Sequence, residues 1–566
     1  MVTERWIRHP RGMRLGQAAR IAVSLLAVAV LAAACSSSDP EQPGAAQSVS
    51  PQPGASGSGG QTEPADPAGQ PVTGGTLVIG LQSDPSPLNP NLSTNGPTQQ
   101  IGTMIYEPLM YFDNAAAGPK PVLAKSWDVS KDGLTYTFKL VNAKFSDGKP
   151  MTSADVKYTI EEVSAKSFAP FAPAAAAIKS IEDSDPHTVV VHLKNAFGPF
   201  LLSLTRVWIL PKHVFEGTDP LTNPASTDKP VGTGPFVLDS VTRGDRWVLK
   251  RNPDYWQQGR PYLDGIVGKV VPDAQSATLA LAAGEISYLS SQVISPSDVE
   301  TVTASGNVVA HPDSFAPNMT QLFFNMTRKT TANKDVRHAI GMAIDRQFLL
   351  TNLFQNGGQV AKGNFDTRLK WAYNSEVDFD KSYPYDPEKA KQLLDTAGFP
   401  NNGGSRFSLT ILVEGSSRFQ PVAEAIASML KDVGIDAKVS APEASVATKQ
   451  AFEKPGDFDL YLQSYTTNWD PALGIARAYV SSSIGKTFGN AAGYSNPEAD
   501  KLFDEGQAAP TEEERAVPYK KVQTILADDL PVMPLIETKL NDVVSPKIHG
   551  LWYAANWGQW QEAWSE

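Results

Sequence analysis

The chain has 566 residues, a length typical of several domains or of two large lobes. It carries 49 Lys and Arg residues against 60 Asp and Glu residues, a net charge of −11. Nucleic acid is therefore not expected as a partner, because its binding requires a basic surface that neutralises phosphates. A single cysteine, Cys35, excludes an internal disulfide and a cysteine-based zinc or iron–sulfur site.

The N-terminal segment has the features of an export signal. Residues 1–20 carry five arginines and one acid, and residues 21–34 form an uncharged run of 14 residues, shorter than the roughly 20 that a transmembrane helix needs. The run ends in LAAAC, which resembles the bacterial lipobox, where the cysteine is acylated and becomes the mature N-terminus. The sequence thus predicts a lipoprotein signal peptide at 1–34 and a lipid on Cys35. The alternative is an ordinary signal peptide that contains a cysteine.

Residues 35–74 are predicted to be a disordered tether. The stretch from 36 to 74 contains 7 Pro, 7 Gly and 7 Ser among 39 residues. Such a composition cannot bury enough apolar surface to offset the entropy lost on ordering. A flexible chain of this length spans about 35 Å on average, so it would hold a folded body near the membrane while leaving it free to reorient.

From Gly75 onward the sequence mixes strand and helix periodicities, which predicts an α/β protein with mixed sheets. Residues 76–81 and 134–140 have the pattern of strands. Asp335 is expected to cap a single helix across 336–350, because the apolar residues there form one continuous stripe.

The second half of the chain is predicted to contain a βαβ unit. A helix starts after Asp386 and ends at Gly398, with the acidic N-cap and closing glycine typical of helix ends. It is followed by a strand at 407–413, a helix at 421–433 and a strand at 435–439. Two strands joined by a crossover helix are parallel, so this half should contain parallel sheet.

No catalytic or metal-binding motif is found in the region predicted to fold. His187 and His192 are five residues apart in a strand-like segment, which places them on opposite faces. The glycine cluster at 231–236 lacks the third glycine of a dinucleotide-binding fingerprint. We therefore expect no enzymatic activity, no cofactor and no metal. The alternative, an extracytoplasmic enzyme, would need a convergent triad or a metal site.

Seven segments stand out in their order along the chain: 74–90 (GGTLVIGLQSDPSPLNP), 105–113 (IYEPLMYFD), 121–160, 231–256, 323–350, 385–399 and 530–535 (LPVMPL). Each segment alone has an ordinary structural explanation. In their joint order they resemble the family 5 extracellular solute-binding proteins, the oligopeptide, dipeptide and nickel receptors of bacterial ABC importers.

The resemblance implies an α/β, two-lobed periplasmic-binding-protein-like fold of type II, in its large-lobe variant, with a central ligand cleft. Lobe one would comprise 75–319 and 532–566, and lobe two would comprise 320–531. A ligand would bind between the lobes, and the hinge would close over it. The protein would be a monomer on the outer face of the cell membrane that delivers its ligand to the permease subunits of an ABC importer.

Peptides are the leading ligands that the resemblance implies, with oligopeptides ahead of dipeptides. Two alternatives stay open: a receptor for a non-peptide solute, such as an oligosaccharide or a metal chelate, and a sensor or adhesive lipoprotein that has kept the fold.

In peptide-binding relatives, an aspartate in a loop of lobe two holds the α-amino group of the ligand. The corresponding segment here is 458–474, and the position of that aspartate falls on Thr467, which is neutral. Two alternatives follow for Asp470: it supplies the missing charge, or it is a structural turn residue before proline.

Five further residues are candidates for the ligand site by the same resemblance. Tyr465 and Trp469 are large amphipathic side chains in the expected cleft loop, and they would pack against the ligand or belong to the core. Arg418 lies near the position where some relatives bind a carboxylate, or it faces solvent. Asn95 and Thr98 lie on an N-terminal loop that faces the cleft in relatives, or they form only local turn hydrogen bonds.

Overall fold

A computed structural model describes residues 69–112, 119–291, 293–294, 296–311, 317–415, 419–453, 456–551 and 559–566. The predicted signal peptide, Cys35 and most of the predicted tether lie outside these residues. Within them, none of the helices has the length and hydropathy needed to span a bilayer.

The first lobe is built on a seven-stranded mixed sheet. The predicted strand at 76–81 is confirmed; it pairs in parallel with a strand that starts at Gly265, and its apolar side chains other than Val78 are buried. In order across the sheet the strands are β12 (Val309–His311), β19 (Asp542–Val544), β11 (Tyr288–Leu289), β1 (Thr76–Leu81), β10 (Gly265–Val270), β9 (Arg246–Arg251) and β8 (Phe236–Thr242).

A second sheet of the first lobe is antiparallel and has four strands. The predicted strand at 134–140 is confirmed as one of its central strands. In order across the sheet the strands are β4 (Ala124–Val129), β5 (Thr135–Leu140), β7 (Thr188–Leu193) and β6 (Ile178–Asp185). Two short ribbons pair β2 (Met110–Phe112) with β3 (Pro119–Pro121), and β20 (Ile548–His549) with β21 (Trp564–Ser565).

The second lobe is built on a six-stranded mixed sheet. In order across the sheet the strands are β14 (Gly358–Val360), β18 (Val532–Thr538), β13 (Asn318–Phe324), β17 (Leu460–Thr466), β15 (Phe407–Leu412) and β16 (Ile435–Ser440). The predicted βαβ unit is confirmed, because β15 and β16 pair in parallel and a helix joins them.

The chain passes between the lobes at two places, and the second is later than predicted. β18 pairs with β13 and β14, so 532–538 belongs to the second lobe rather than to the first. A boundary at 531/532 is therefore too early. Only residues 539–541 separate β18 from β19, which belongs to the sheet of the first lobe.

Helices cover the sheets of both lobes. In chain order they are α1 (Gly96–Ile105), α2 (Ser153–Tyr158), α3 (Ala165–Ser167), α4 (Ala172–Ala177), α5 (Phe200–Leu204), α6 (Lys212–Phe215), α7 (Ala274–Ala282), α8 (Pro296–Thr303), α9 (Lys329–Ala332), α10 (Lys334–Ala343), α11 (Arg346–Asn352), α12 (Phe379–Ser382), α13 (Pro387–Thr396), α14 (Gln420–Asp432), α15 (Ala444–Phe452), α16 (Pro497–Ala508) and α17 (Glu512–Asp529). A π-helical turn, Thr159–Ser164, continues α2.

The single helix predicted across 336–350 is two helices. Asn333, not Asp335, caps the first of them, because its side chain accepts a hydrogen bond from the Asp335 amide. The chain becomes extended at Ile344, and the side chain of Asp345 caps the second helix. An aspartate is a strong N-cap, so it starts a new helix even though the apolar stripe runs on without a break.

The C-terminal tail packs into the first lobe, as the resemblance implies. Ile548, Trp560 and Ala563 belong to the same buried apolar cluster as the core strands of that lobe. The indole Nε1 of Trp560 also donates a hydrogen bond to Thr103 Oγ1 on α1, at 3.0 Å. The first lobe is thus assembled from both ends of the folded chain.

The glycine cluster at 231–236 has a structural explanation. A Cβ on Gly232 would lie 2.0 Å from the carbonyl oxygen of Ile105, and a Cβ on Gly234 would lie 2.6 Å from the same atom. Only glycine allows this close approach of two backbone segments. The cluster therefore serves packing between α1 and the loop before β8.

Glu107 joins two of the segments that carry the family resemblance. Its carboxylate accepts hydrogen bonds from Tyr255 Oη at 2.6 Å and Trp256 Nε1 at 2.9 Å. Only 2% of Glu107 is exposed. Burial raises the pKa of this carboxyl to about 7, although the hydrogen bonds from Tyr255 and Trp256 act in the opposite direction.

The raised pKa of Glu107 predicts how the stability of the fold depends on pH. A carboxyl whose pKa rises on folding stabilises the fold at low pH, and this contribution is lost as the pH rises through the folded pKa. We expect Glu107→Gln to gain up to about 3 kcal/mol in unfolding free energy relative to the wild type between about pH 5 and about pH 8. Urea denaturation of the variant and the wild type across this pH range measures the difference in unfolding free energy. Glu162→Gln, at an exposed carboxyl paired with Lys166, is the control and should follow the wild type. Parallel pH curves for Glu107→Gln and the wild type would contradict the prediction.

Candidate functional site

The candidate site lies around the loop that follows β17. Asn468 adopts a positive φ of 55°, and its side chain donates a hydrogen bond to the Leu473 carbonyl oxygen at 2.7 Å. A Cβ on Gly474 would lie 1.9 Å from the Thr467 carbonyl oxygen, so the loop closes tightly on itself. We call residues 467–478 the cleft loop.

Asp470 is buried in the cleft loop and paired with an arginine. Its Oδ1 and Oδ2 accept hydrogen bonds from Arg515 Nη2 and Nη1, both at 2.7 Å. The side chains of Asp470 and Arg515 are 5% and 4% exposed. Burial alone would lower the pKa of Arg515, but the adjacent Asp470 carboxylate raises it above its ordinary value.

The same carboxylate also shapes the turn. Asp470 Oδ1 accepts a hydrogen bond from the Ala472 amide at 2.9 Å and caps the 3-10 turn Pro471–Leu473. The structure therefore favours the turn alternative for Asp470. Both of its oxygens bind protein donors and only 5% of the side chain is exposed, so this carboxylate is poorly accessible to an amine of a ligand.

Thr467 is a buried residue that fastens the cleft loop. It is fully buried, and its hydroxyl donates a hydrogen bond to the Pro317 carbonyl oxygen at 3.0 Å. The Thr467 amide donates to the same oxygen at 2.7 Å. Thr467 thus ties the cleft loop to the start of β13, instead of holding a ligand amine as the resemblance suggests.

The two candidate aromatic residues have different environments. Tyr465 is a core residue: it is 2% exposed, its ring centroid lies 5.2 Å from that of Phe323, and its hydroxyl donates to the Gly489 carbonyl oxygen at 3.0 Å. Trp469 is only partly buried. Of this pair, Trp469 is the side chain with surface left for a ligand.

The remaining candidate residues also differ in burial and hydrogen bonding. Thr98 is fully buried, and its hydroxyl donates to the Pro87 carbonyl oxygen at 2.7 Å, so its role is the local one. Asn95 is exposed at the N-terminus of α1, and its side chain forms no capping hydrogen bond. Asn95 therefore keeps a side chain available. Arg418 lies outside the described residues.

The second lobe touches the first near the cleft loop. Leu473 packs against the apolar cluster of the first lobe. In the first lobe, the Gly198 amide donates a hydrogen bond to the Gln507 carbonyl oxygen of the second lobe at 2.8 Å. A Cβ on Gly198 would lie 2.7 Å from Arg515 Cδ. The arginine that holds Asp470 thus lies directly at the contact between the lobes.

One arginine in each lobe lies over an aromatic ring, and the sequence singles out neither of them. Arg206 of the first lobe lies over the ring of Phe168, with its Cζ 5.7 Å from the ring centroid. Arg477 of the cleft loop lies over the ring of Tyr465 at 5.1 Å. Isolated arginines carry no motif, so the sequence gives no signal for either of these ring contacts.

In the part of the chain that the structure describes, no group of three or more His, Cys, Asp or Glu side chains is arranged to hold a metal ion. His192 Nε2 lies 3.1 Å from Glu182 Oε1, and its Nδ1 lies 3.2 Å from Thr135 Oγ1. These are contacts between neighbouring strands, so His192 has a structural role on the sheet surface.

Comparison with known proteins gives the family. The family model of bacterial extracellular solute-binding proteins, family 5, matches residues 118–487. The oligopeptide-binding protein AppA of Bacillus subtilis is 30% identical over 480 residues, which cover 82% of this chain and 86% of AppA. The glutathione-binding protein GsiB of Escherichia coli is 28% identical over 504 residues, with coverage of 85% and 93%.

Solved structures agree with the sequence comparisons. The structure of AppA from Bacillus subtilis in complex with a nonapeptide matches with a TM-score of 0.73 at 27% identity, covering 88% of this chain and all of that one. The structure of NikA from Brucella suis in complex with Fe(III)-EDTA matches with a TM-score of 0.75 at 25% identity, covering 87% of this chain. This chain therefore belongs to the family 5 bacterial extracellular solute-binding proteins and has their two-lobed periplasmic-binding-protein fold.

Proposed function

We propose that this chain is the extracytoplasmic receptor of an ABC importer, and that it captures a peptide, with oligopeptides preferred, between its two lobes. The observation that carries the proposal is the similarity to AppA over more than four fifths of both chains. AppA is named for oligopeptide binding, and its structure contains a nonapeptide. The ligand would pass to the membrane permease when the lobes open.

The architecture supports capture by closure. Two lobes with separate sheets are joined by two passages of the chain, and the cleft loop of one lobe touches the other. A ligand that contacts both lobes favours the closed arrangement, because those contacts exist only there. Release of the ligand in unchanged form follows from a role in binding alone.

A non-peptide solute is the second candidate. It is favoured by the match to NikA, whose structure contains Fe(III)-EDTA. A metal chelate of this kind presents several carboxylates and no α-amino group. The engagement of Asp470 by Arg515 is compatible with such a ligand, since no amine anchor is then needed.

The proposed lipid anchor would attach on the side of the first lobe. The Gly74 amide donates a hydrogen bond to the Tyr262 carbonyl oxygen at 2.8 Å. A Cβ on Gly69 would lie 3.6 Å from the ring of Trp564. Residues Gly69 and Gly74 thus lie against the first lobe.

The proposed function predicts a captured and intact ligand. Native mass spectrometry of gently purified protein should show a bound peptide mass, and X-ray scattering should show a smaller radius of gyration once that peptide is added back to stripped protein. The peptide should be recovered unchanged. A chelate mass in place of a peptide would favour the second candidate. A chemically altered ligand, or an unchanged radius, would contradict the receptor role.

The anchor is tested separately. We expect Cys35→Ala to move the folded protein from the membrane fraction to the medium, because the acyl chains would be lost. Immunoblots of the two fractions measure this distribution, and Ser36→Ala serves as the control that leaves the cysteine in place. Retention of Cys35→Ala in the membrane fraction would contradict lipid attachment at this residue.

Asp470→Asn separates the two alternatives for this residue. Because the substitution leaves the buried Arg515 without its carboxylate, we expect it to lower the unfolding free energy by about 3 to 5 kcal/mol. Asp457→Asn, at an exposed ion pair with Arg328, should cost only about 0 to 1 kcal/mol. Urea denaturation measures both variants.

Binding completes this test. With Asp470 in its structural role, the ratio of affinities for free and N-acetylated forms of one peptide should be the same in Asp470→Asn and in the wild type. A large preference for the free amine in the wild type that disappears in the variant would show that Asp470 anchors the amine after all. Isothermal titration calorimetry gives the four affinities.

A further inference from the structure

The turn between α16 and α17 of the second lobe lies against the first lobe. The Gly198 amide of the first lobe donates a hydrogen bond to the Gln507 carbonyl oxygen at 2.8 Å. Gln507 lies in the last turn of α16, where carbonyl oxygens lack donors from their own helix. The first lobe therefore supplies a hydrogen-bond donor to the end of this helix. We call the contact of Gly198 with residues 506–515 the lobe contact.

Gly198 makes the lobe contact without leaving room for a side chain. A Cβ at this position would lie 2.7 Å from both Cδ and Nε of Arg515 and 2.8 Å from the Ala509 carbonyl oxygen. Non-bonded heavy atoms pack at about 3.5 to 4.0 Å, so a Cβ requires one lobe to move. The φ of Gly198 lies outside the left-handed region. The need for glycine therefore comes from the second lobe and not from the local backbone conformation.

The second lobe cannot easily move aside from such a Cβ. Arg515 Nε donates a hydrogen bond to the Gly506 carbonyl oxygen at 2.7 Å, and its two Nη atoms bind the buried Asp470 carboxylate. A shift of the Arg515 side chain would break this buried ion pair, which is strongly unfavourable. The Ala509 carbonyl oxygen belongs to the backbone. Both groups that face Gly198 are thus held in place.

A second loop of the first lobe meets the same turn. Gly133 lies in the turn between β4 and β5 with a φ of 68°, and its amide donates to the Ser130 carbonyl oxygen at 2.9 Å. A Cβ on Gly133 would lie 3.8 Å from Pro510 Cβ, which is an ordinary van der Waals distance. Neither loop includes the link at 539–541, so rotation about that link changes how closely the loops and the turn approach.

We propose that the lobe contact forms as the lobes close, and that Gly198 is the residue whose missing side chain permits full closure. The contact stabilises the closed arrangement through protein groups alone, so the ligand does not have to supply all of the closing free energy. This inference goes beyond the proposed function, because it concerns the approach of the lobes and is independent of which solute lies between them.

Disulfide cross-linking measures the approach of the lobes without a ligand. The 3.8 Å between the Cβ positions of Gly133 and Pro510 matches the Cβ separation of a disulfide. In a Cys35→Ala background, Gly133→Cys and Pro510→Cys supply the only two thiols of the full-length chain. We expect oxidised glutathione to join them. X-ray scattering should then show a smaller radius of gyration for the cross-linked protein than for the reduced protein. Equal radii would show that the contact does not depend on closure and would overturn the inference.

Gly198→Ala in the same background tests the role of the glycine. We expect the cross-linking rate to fall at least about tenfold, because the added Cβ overlaps the second lobe and weakens the hydrogen bond to Gln507. Gly404→Ala is the control, since Gly404 is exposed, its φ is not left-handed and a Cβ there meets no atom within 4 Å. The strain of a cysteine at Gly133 is the same in every variant. A rate for Gly198→Ala equal to that of the control would overturn the inference.

Thermal unfolding separates an effect on closure from an effect on folding. The three atoms nearest to a Cβ at Gly198 all belong to the other lobe, so the midpoint of reduced, ligand-free Gly198→Ala should equal that of the wild type. If this variant does not fold, the comparison of radii decides the inference, because the cysteine pair leaves Gly198 unchanged. A smaller radius on cross-linking then supports the inference, and an unchanged radius overturns it.

A pool of synthetic nonapeptides of random sequence connects the lobe contact to binding. Native mass spectrometry identifies the peptides that the wild type binds, and isothermal titration calorimetry measures their affinities. Gly198→Ala should weaken all of them by a similar factor of about ten, because it hinders closure and touches no ligand. A loss confined to some peptides would overturn this role for Gly198. A wild type that binds no peptide would overturn the proposed peptide ligand, whereas the cross-linking result is obtained without a ligand and still decides the inference.

Discussion

The buried ion pair between Asp470 and Arg515 is the interaction on which the candidate site depends. It closes the turn at Asp470 and fixes the base of the cleft loop against the helix that carries Arg515. The positions of Trp469 and Arg477 relative to the first lobe follow from this attachment. A buried pair of this kind contributes little net stability compared with apolar packing, but losing one partner costs several kcal/mol. Its value here lies in holding one loop conformation.

Two other buried groups, Arg337 and Glu107, find hydrogen-bond partners within the protein. The Arg337 guanidinium donates to the carbonyl oxygens of Thr331, Ala332, Asp529 and Leu530 and so joins the ends of α9 and α17. Glu107 has two donors of its own. Arg477 lies over the ring of Tyr465.

The sequence predicts best where periodicity and local turn chemistry decide the structure. The strand at 76–81 and the βαβ unit at 407–439 are of this kind, because apolar patterning sets both the element and its buried face. The sequence does not predict the break at Ile344, because the apolar stripe continues without interruption from the first helix into the second. The end of the second lobe was placed too early because the pairing of β18 with β13 is a long-range contact.

The candidate site depends still more on such contacts. Arg515 forms an ion pair with Asp470 but lies 45 residues further along the chain. The sequence around Asp470 therefore gives no indication of this pairing. Family resemblance located the loop correctly in lobe two. It did not reveal that the acid in that loop is already paired with Arg515.

The link at 539–541 between β18 and β19 limits how the protein can move. Three residues anchored in a sheet at each end can rotate about their backbone dihedrals but cannot lengthen, since each residue spans at most about 3.6 Å. The lobes can therefore swing about this link but cannot slide apart there. Motion along such a restricted arc leaves fewer open arrangements to be sampled, which reduces the entropy that is lost when the lobes meet.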